Sequence, residues 1–368
     1  MISIRVLAII PSAFFSIVLT THCARFRVQE LKPARSFAIP IGSAFPLVTK
    51  GADEYTRPLN LAGIPLSAGI LGNRIFLSDP ASGVVRVFKR NSEKPEFIIG
   101  DKMDKSEEAE LIKVRAGIPC EVVSDDDENA FIAIHEVALD DKPEPEVPPE
   151  NRSTDKPPVG QFTTTPARIV QIKEDAIVAQ FGREGREGPA FERILRMHAF
   201  ENTLYVFHAI GETRALSVFQ NGKRIRQFEN FAIKDQDVQK YFIDVEDIFP
   251  SGQTAIVSVA FRNKNTFAPE QRRIYSWDGG EPRLLYTVDE EADQFIAARP
   301  DGGFTLANSE DGNRLLLKIY SPSGEYLNNR LLVFPDFRNS WREVTLDMTG
   351  RVFSNRIFQG NFEVYEWK

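Results

Sequence analysis

The 368-residue sequence predicts an all-β fold, a six-bladed β-propeller of four-stranded antiparallel blades, on three observations. The first is the stretch Gly72 to Phe88, where the turn Gly72-Asn73 leads into the alternating run Arg74 to Ser78, and a second turn leads into Val84 to Phe88. Alternation of apolar and polar residues over four to eight positions is the period of a half-buried strand. The second is recurrence: equivalent first turns stand at Gly72, Glu128, Glu201, Gly252, Gly302 and Gly350, about 50 residues apart once one insert is set aside, which is a blade-sized period. The third is that the last unit holds only three strands before Lys368. A ring without an exposed edge then needs an N-terminal strand to complete its last blade. Ser36 to Ile41 and Arg57 to Leu61 are the candidates for it. A β-sandwich would not require this regular sixfold count.

Each unit follows from its own residues. In unit one, Ser67 to Leu71, Arg74 to Ser78, Val84 to Phe88 and Glu96 to Gly100 are four short strands with turn residues between them. Unit two has Cys120 to Val123, Ala130 to Ile134, Ala167 to Ile172 and Ala176 to Phe181. Its third strand is delayed by residues 137–166, rich in Pro and acids. Such a composition buries too little apolar surface to order itself, so a disordered insert is expected. Unit three runs through Ile194 to Ala199, Thr203 to Phe207, Arg214 to Phe219 and Ile225 to Phe228, with Asn221-Gly222 marking a type I′ hairpin. Unit four has Phe242 to Ile248, Ala255 to Phe261, Arg273 to Trp277 and Arg283 to Thr287. Unit five has Phe295 to Ala298, Phe304 to Ala307, Leu315 to Tyr320 and Leu331 to Phe334. Unit six has Val344 to Met348, Val352 to Ile357 and Phe362 to Trp367.

Composition agrees with this plan. The 28 Phe suit pleated, half-buried surfaces, and the 23 Gly and 23 Pro suit many turns. A net charge of −7 without a long Lys/Arg run argues against a nucleic-acid partner, because phosphate neutralisation needs clustered cations. Two cysteines cannot build a disulfide network.

Residues 1–22 read as a signal peptide: Arg5 supplies the positive region and Val6 to Leu19 the apolar one. The run Leu19-Thr20-Thr21-His22-Cys23 resembles a bacterial lipobox of the looser, spirochaetal kind. That resemblance implies lipid attachment at Cys23, although His22 replaces the small residue usual before the cysteine. Residues 23–56 then read as a tether holding the closing strand, and 57–368 as the propeller. The expected address is the cell envelope, lipid-anchored to the outer membrane, with the membrane touched through the anchor only.

Phe181 to Phe191, FGREGREGPAF, resembles the linker between blades of bacterial six-bladed propellers related to the NHL repeat. With its signal, the whole chain resembles leptospiral-type lipoproteins bearing such a domain. The resemblance implies mostly interaction platforms, with a minority of metal-dependent hydrolases, lactonases and lyases.

Overlaying the first three units on their turn residues aligns Asp79, His135 and His208, each seven positions on, where the second strand leads into the loop to the third. Those loops gather on the face that also carries the links between blades. An Asp and two His there, with Glu136 and Glu212 nearby, form a candidate binding face and could ligate a divalent cation. Units four to six offer Val259, Ser309 and Ile357 at that offset, and strand-end polar residues commonly bond turn backbone instead. On or beside the first strands, Glu121, Arg196, His198, Asp244, Glu246, Gln294, Arg299 and Glu343 are candidates to line the central channel. Cys120 is expected to be a small buried residue. No Gly-x-Ser-x-Gly, P-loop or HExxH motif occurs, so no catalytic residue is assigned.

These readings converge on a monomeric scaffold that binds an envelope protein, peptide or other ligand through its loop-bearing face and needs no cofactor. The alternative is a divalent-metal-dependent hydrolase, lactonase or lyase with its site in the channel.

Overall fold

The computed structural model describes residues 28–40, 67–79, 82–90, 92–103, 108–125, 129–135, 167–181, 191–211, 213–234, 240–288, 293–311, 313–336, 341–359 and 361–368. All regular structure in them is β, arranged as six antiparallel sheets in a six-bladed propeller. The expected lipobox with Cys23, the alternative closing segment Arg57 to Leu61 and the acidic insert lie outside the described residues.

The N-terminal segment supplies β1 (Val28–Leu31) and β2 (Pro33–Pro40). Blade one is β3 (Ala68–Leu71), β4 (Arg74–Asp79), β5 (Val84–Lys89) and β6 (Pro95–Gly100), with β7 (Glu110–Lys113) added parallel to β6. Blade two is β8 (Ile118–Ser124), β9 (Asn129–His135), β10 (Ala167–Lys173) and β11 (Ala176–Phe181). Blade three is β12 (Arg193–Phe200), β13 (Thr203–Ile210), β14 (Thr213–Gln220) and β15 (Lys223–Phe228). Asn221 and Gly222 both take positive φ, 48° and 79°, as the type I′ turn requires.

Blade four is β16 (Tyr241–Ser251), β17 (Thr254–Asn263), β18 (Pro269–Trp277) and β19 (Arg283–Val288). Blade five is β20 (Gln294–Ala298), β21 (Phe304–Asp311), β22 (Arg314–Tyr320) and β23 (Tyr326–Val333). Blade six is β24 (Trp341–Leu346), β25 (Val352–Phe358) and β26 (Asn361–Trp367), completed by β2 lying antiparallel on β26. The closing strand therefore contains Ser36 to Pro40 of the first candidate. Immediately before it, β1 lies parallel on β23 of blade five, so one short segment ties two adjacent blades. The fifth strands β1 and β7 are absent from the four-stranded expectation, because four residues carry too little periodicity to stand out.

Six apolar clusters fill the six interfaces between neighbouring blades. In five of the six blades an aromatic near the end of the third strand plugs its interface: Phe88, Phe219, Trp277, Tyr320 and Trp367 are all buried, each opposite an apolar second-strand residue, and blade two has Ile172 in that place. Between blades one and two the backbones approach so closely that a Cβ at Gly69 would stand 2.8 Å from Val122 Cγ1.

Bulges recur as regularly as the strands. The fourth strand of every blade shifts register once, at Glu96, Val178, Ile225, Leu285, Leu327 and Ser36. A bulge bends the strand and, where no fifth strand covers it, twists its free edge away from other chains. First strands shift too, at Cys120, Leu195, Glu246, Ile296 and the pair Arg342-Glu343.

The closing strand yields a direct test. Ile39 is fully buried in the interface of blades six and one, whereas Val28 of β1 is 49% exposed. Ile39→Ala is expected to cost about 2–5 kcal/mol and Val28→Ala under about 0.5 kcal/mol, read from urea unfolding midpoints.

Candidate functional site

The predicted binding face resolves into buried contacts between blades. Asp79 ends β4 on the side that packs against blade six, with Ile75 and Leu77. It is 1% exposed and pairs with the equally buried Arg86, Oδ2 to Nη1 at 2.5 Å. Burial raises its pKa against the pull of that guanidinium. His208 ends its alternating apolar run in the same way. Its Nε2 lies 2.9 Å from Ser217 Oγ and its ring meets Phe191 edge-on at 5.1 Å, while burial lowers its pKa and favours the neutral imidazole. In both pairs the partner stands two residues past the cross-strand neighbour, Val84 or Ala215.

Three other blades repeat or break this pattern in a way that corrects the overlay. Blades one, three and four close their first turn over two residues, but blades two, five and six do so over a longer loop, with Asp125 N, Arg299 N and Asp347 N donating to the carbonyls of Asn129, Gly303 and Arg351. Counting from the turn therefore overshoots by one in those blades, and a one-residue slip puts a side chain on the other side of the sheet. Ile134, not His135, holds the Asp79 place in blade two and packs against blade one. His135 is half-buried at the end of β9, on the side of Phe131 and Ala133, toward blade three.

In blade five the place belongs to Asn308, whose Nδ2 donates to buried Asp293 at 2.7 Å while Lys318 Nζ reaches the same carboxylate at 3.0 Å. In blade six it belongs to Arg356, bound to Glu363, Asp336 and the Tyr365 hydroxyl at 2.7, 2.5 and 2.8 Å. Asp79 and His208 thus join a polar layer that seats blade against blade and do not present a surface. The structure does not gather Asp79, His135 and His208 at one site. Glu136 and Glu212 lie outside the described residues. Among the described residues, no group of three or more His, Cys, Asp or Glu is arranged to hold a metal ion.

The channel candidates fare differently. Glu121, Arg196 and Gln294 occupy the same level of the first strands in blades two, three and five, and Asp247, one residue past the predicted Glu246, occupies it in blade four. Arg196 and Asp247 join adjacent blades, Nη1 to Oδ2 at 2.6 Å. Burial pushes Asp247 up to about 6 even with that guanidinium beside it. His198 lies over the Phe249 ring with centroids 4.1 Å apart, and its covered Nε2 has no hydrogen-bond partner among the described residues. Burial, reinforced by Arg196, lowers it to about 3, so the imidazole is neutral in ordinary buffers.

Glu121 is half-buried and Gln294 exposed, while Glu343 lies in β24 at its bulge. Arg299 is corrected: it sits at the opposite end, in the β20–β21 turn, where it bonds Asp301 and the Tyr320 carbonyl. Cys120 is the bulge residue of β8, its thiol 3.4 Å from the Ala133 carbonyl and its pKa raised by burial.

Asp244 and Glu246 belong to a feature the sequence reading did not single out. With 11 and 10 residues, β16 and β17 are the longest of the described strands. They carry blade four past the level of Val259 to Asn263, roughly 13 Å of extra strand, on the link-bearing face. On the side of this projection away from blade three, Asp244 accepts from Arg262 Nε at 2.9 Å and Glu246 from Arg272 Nε at 2.9 Å. At its tip Phe242 and Phe267 are 52% and 63% exposed, with ring centroids 6.5 Å apart.

The tip is built by hydrogen bonds. Asn263 Oδ1 accepts from the amides of Asn265 and Thr266 at 2.8 and 3.2 Å, and the Asn263 carbonyl accepts from Phe267 N at 2.8 Å. Phe267 is held at φ 57°, a conformation strained for a bulky residue. An unusual length of alternation between Tyr241 and Asn263 was the available signal, but exposure of two aromatics depends on where the neighbouring blade ends.

Comparison with known proteins adds similarity of shape alone. No protein-family model matches the chain and no curated relative does. Among solved structures, an alpha-L-arabinanase of Penicillium chrysogenum is 8% identical, covering 91% of this chain and 98% of its own, with a TM-score of 0.44. The WD40 domain of Toxoplasma gondii coronin is 10% identical over 93% and 87%, with a TM-score of 0.43. The hydrazine synthase of Kuenenia stuttgartiensis is 11% identical over 81% and 82%, with a TM-score of 0.42. At these values the functions of those proteins carry nothing to this one.

The two perturbed groups where blades three and four meet give opposed pH dependences. His198 binds its proton more weakly folded than unfolded, so between about pH 3 and 6.5 it makes stability rise with pH, by up to about 1.4 kcal/mol per unit. Asp247 binds its proton more tightly folded, so between about pH 3.8 and 6 it makes stability fall as pH rises. The slopes oppose one another there. Chemical unfolding followed against pH should show a steeper rise of stability through that window for Asp247→Asn, and a flattened or reversed one for His198→Phe.

Proposed function

We propose that this chain is a binding scaffold of the cell envelope, lipid-anchored at Cys23, that engages a partner through the link-bearing face of its propeller. The observation that carries the reading is the blade-four projection. Two phenylalanines more than half exposed stand on a hydrogen-bonded loop, one of them in a strained backbone conformation. Exposed aromatics on a rigid mount make anchors with little ordering entropy left to lose on binding. Strain at a surface position persists where the surrounding structure enforces it, and such positions cluster at functional sites. The polar layer beneath gives this face a stiff base. The described residues that flank the insert, at the end of β9 and the start of β10, lie on the same face.

The anchor rests on the resemblance of Leu19 to Cys23 to a spirochaetal lipobox, and the NHL-like character on Phe181 to Phe191. Among the described residues there is no helix long and apolar enough to cross a membrane.

Two measurements follow. In affinity capture from envelope extracts, Phe242→Ala with Phe267→Ala is expected to reduce recovery of the bound partner at least about tenfold, as loss of an aromatic anchor would. Val178→Ala, on the outer edge of blade two, should leave it unchanged. Unchanged recovery with the double variant would refute binding through the projection. Mass spectrometry of the mature protein should find an N-terminal Cys23 bearing acyl chains; an unmodified Cys23 would contradict the anchor.

A further inference from the structure

The strand β1 is the outermost of blade five, and its first residue, Val28, stands five positions after Cys23. Five residues span at most about 18 Å when fully extended. That is less than the radius of gyration of about 20 Å that a compact chain of this size takes. With acyl chains on Cys23, the outer edge of blade five is therefore held beside the bilayer whichever way the ring turns. Arg25, Phe26 and Arg27 stand in the connecting stretch, two cations around an aromatic, a composition suited to anionic headgroups.

The same edge exposes apolar side chains. β1 covers β23 only from Asn329 to Leu332, so Tyr326, Leu327 and Asn328 before it are left open to solvent. Leu327 is the bulge residue of β23 and is 43% exposed, beside Tyr326 at 37%. Val28, across from Asn329, is 49% exposed. The mount is firm. Tyr326 meets the Tyr320 ring edge-on at 5.9 Å, and Tyr320 meets Tyr286 of blade four at 4.7 Å. In the turn just before, Gly324 lies so close to the Leu285 carbonyl of blade four that no Cβ would fit.

Exposure by itself does not single out this edge. Val178 and Ile225 hold the same bulge place on blades two and three and are exposed as well. Blade two lies across the ring from blade five, away from the tether. Chain length to Cys23 is what distinguishes Leu327, and an aromatic with a polar tip beside aliphatic side chains suits the bilayer surface.

We propose that the outer edge of blade five, through Val28, Tyr326 and Leu327, rests on the lipid surface into which Cys23 is anchored. The ring then stands on its rim, and its link-bearing face stays clear of the bilayer for a partner. The inference rests on the anchor at Cys23 and deepens that reading, since it states how the propeller is held.

Spin labelling of the full mature chain tests it, in a Cys120→Ala background, reconstituted into vesicles of phosphatidylethanolamine and phosphatidylglycerol. Labels are placed one at a time at Leu327→Cys, Val178→Cys and Phe267→Cys. Collisions are read with oxygen, which concentrates in lipid, and with a water-soluble nickel chelate. The label at position 327 is expected to meet the chelate several-fold less often, and oxygen more often, than the other two. Val28→Asp with Tyr326→Asp should return that label to water while the chain stays with the vesicles, because charge is costly to bring into lipid. A thermal melt of each variant confirms folding.

If the label at 327 meets the chelate as often as that at 178, on chains whose Cys23 is acylated by mass, docking is overturned and the anchor stands. Shielding at 267 in its place also overturns docking, and lays the link-bearing face on the bilayer. Shielding at 327 that survives the double variant comes from the tether alone and overturns the apolar contact. An unmodified Cys23 ends both readings.

Discussion

The pairing of β2 with β26 is the constraint on which the rest of this structure depends. Blade six has only β24, β25 and β26 from its own end of the chain, so its outer row of hydrogen bonds is supplied from residues 33–40. Phe37 and Ile39 from that strand then fill the interface with blade one. Backbone pairing and apolar burial are thus achieved by the same eight residues. Loop-closure entropy grows only slowly with length, so joining two strands over 300 residues apart costs little more than joining them across a shorter gap. With β1 set parallel on β23, the same segment also fastens blade five, and the ring closes across two blades.

A ring of six blades must also keep each blade in place, and apolar clusters alone are non-directional. The buried polar groups at the ends of the second strands add direction. Asp79 with Arg86, His208 with Ser217, Asn308 and Lys318 with Asp293, and Arg356 with Glu363 and Tyr365 occupy one repeated position. A buried charge without its partner is costly, so each pair fits its own blade and penalises a slipped register. Ile134 and Val259 fill the same place with packing alone. The layer also explains why the link-bearing face can support a tall, narrow feature: blade four projects above a base already fixed.

Much of the fold was legible because propellers are written in period. Alternation marks strands, Gly and Asn mark tight turns, and an aromatic near the end of the third strand repeats in five of the six blades. The site was much less legible, and the reason lies in single residues. Gly72-Asn73 and Glu201-Asn202 turn the chain in two residues, whereas 125–129 needs more, and nothing in the local sequence announces the difference. That one residue moved His135 to the wrong side of the sheet. Bulges do the same on the first strands, which is why Glu246 was named while its neighbour Asp247 makes the contact across blades.

By itself the sequence determined that the chain is all-β, that it has six units, that a strand near the N-terminus must complete the sixth, and where polar residues end the second strands. These are properties of spacing, which the chain carries without reference to its neighbours. Only the tertiary structure decided which of those residues face water. Asp79 and His208 are enclosed by the next blade, whereas Phe242 and Phe267, whose type belongs in a core, stand in solvent because β16 and β17 continue beyond the neighbouring first strand. Burial is set by what another part of the chain covers, and local spacing cannot encode that.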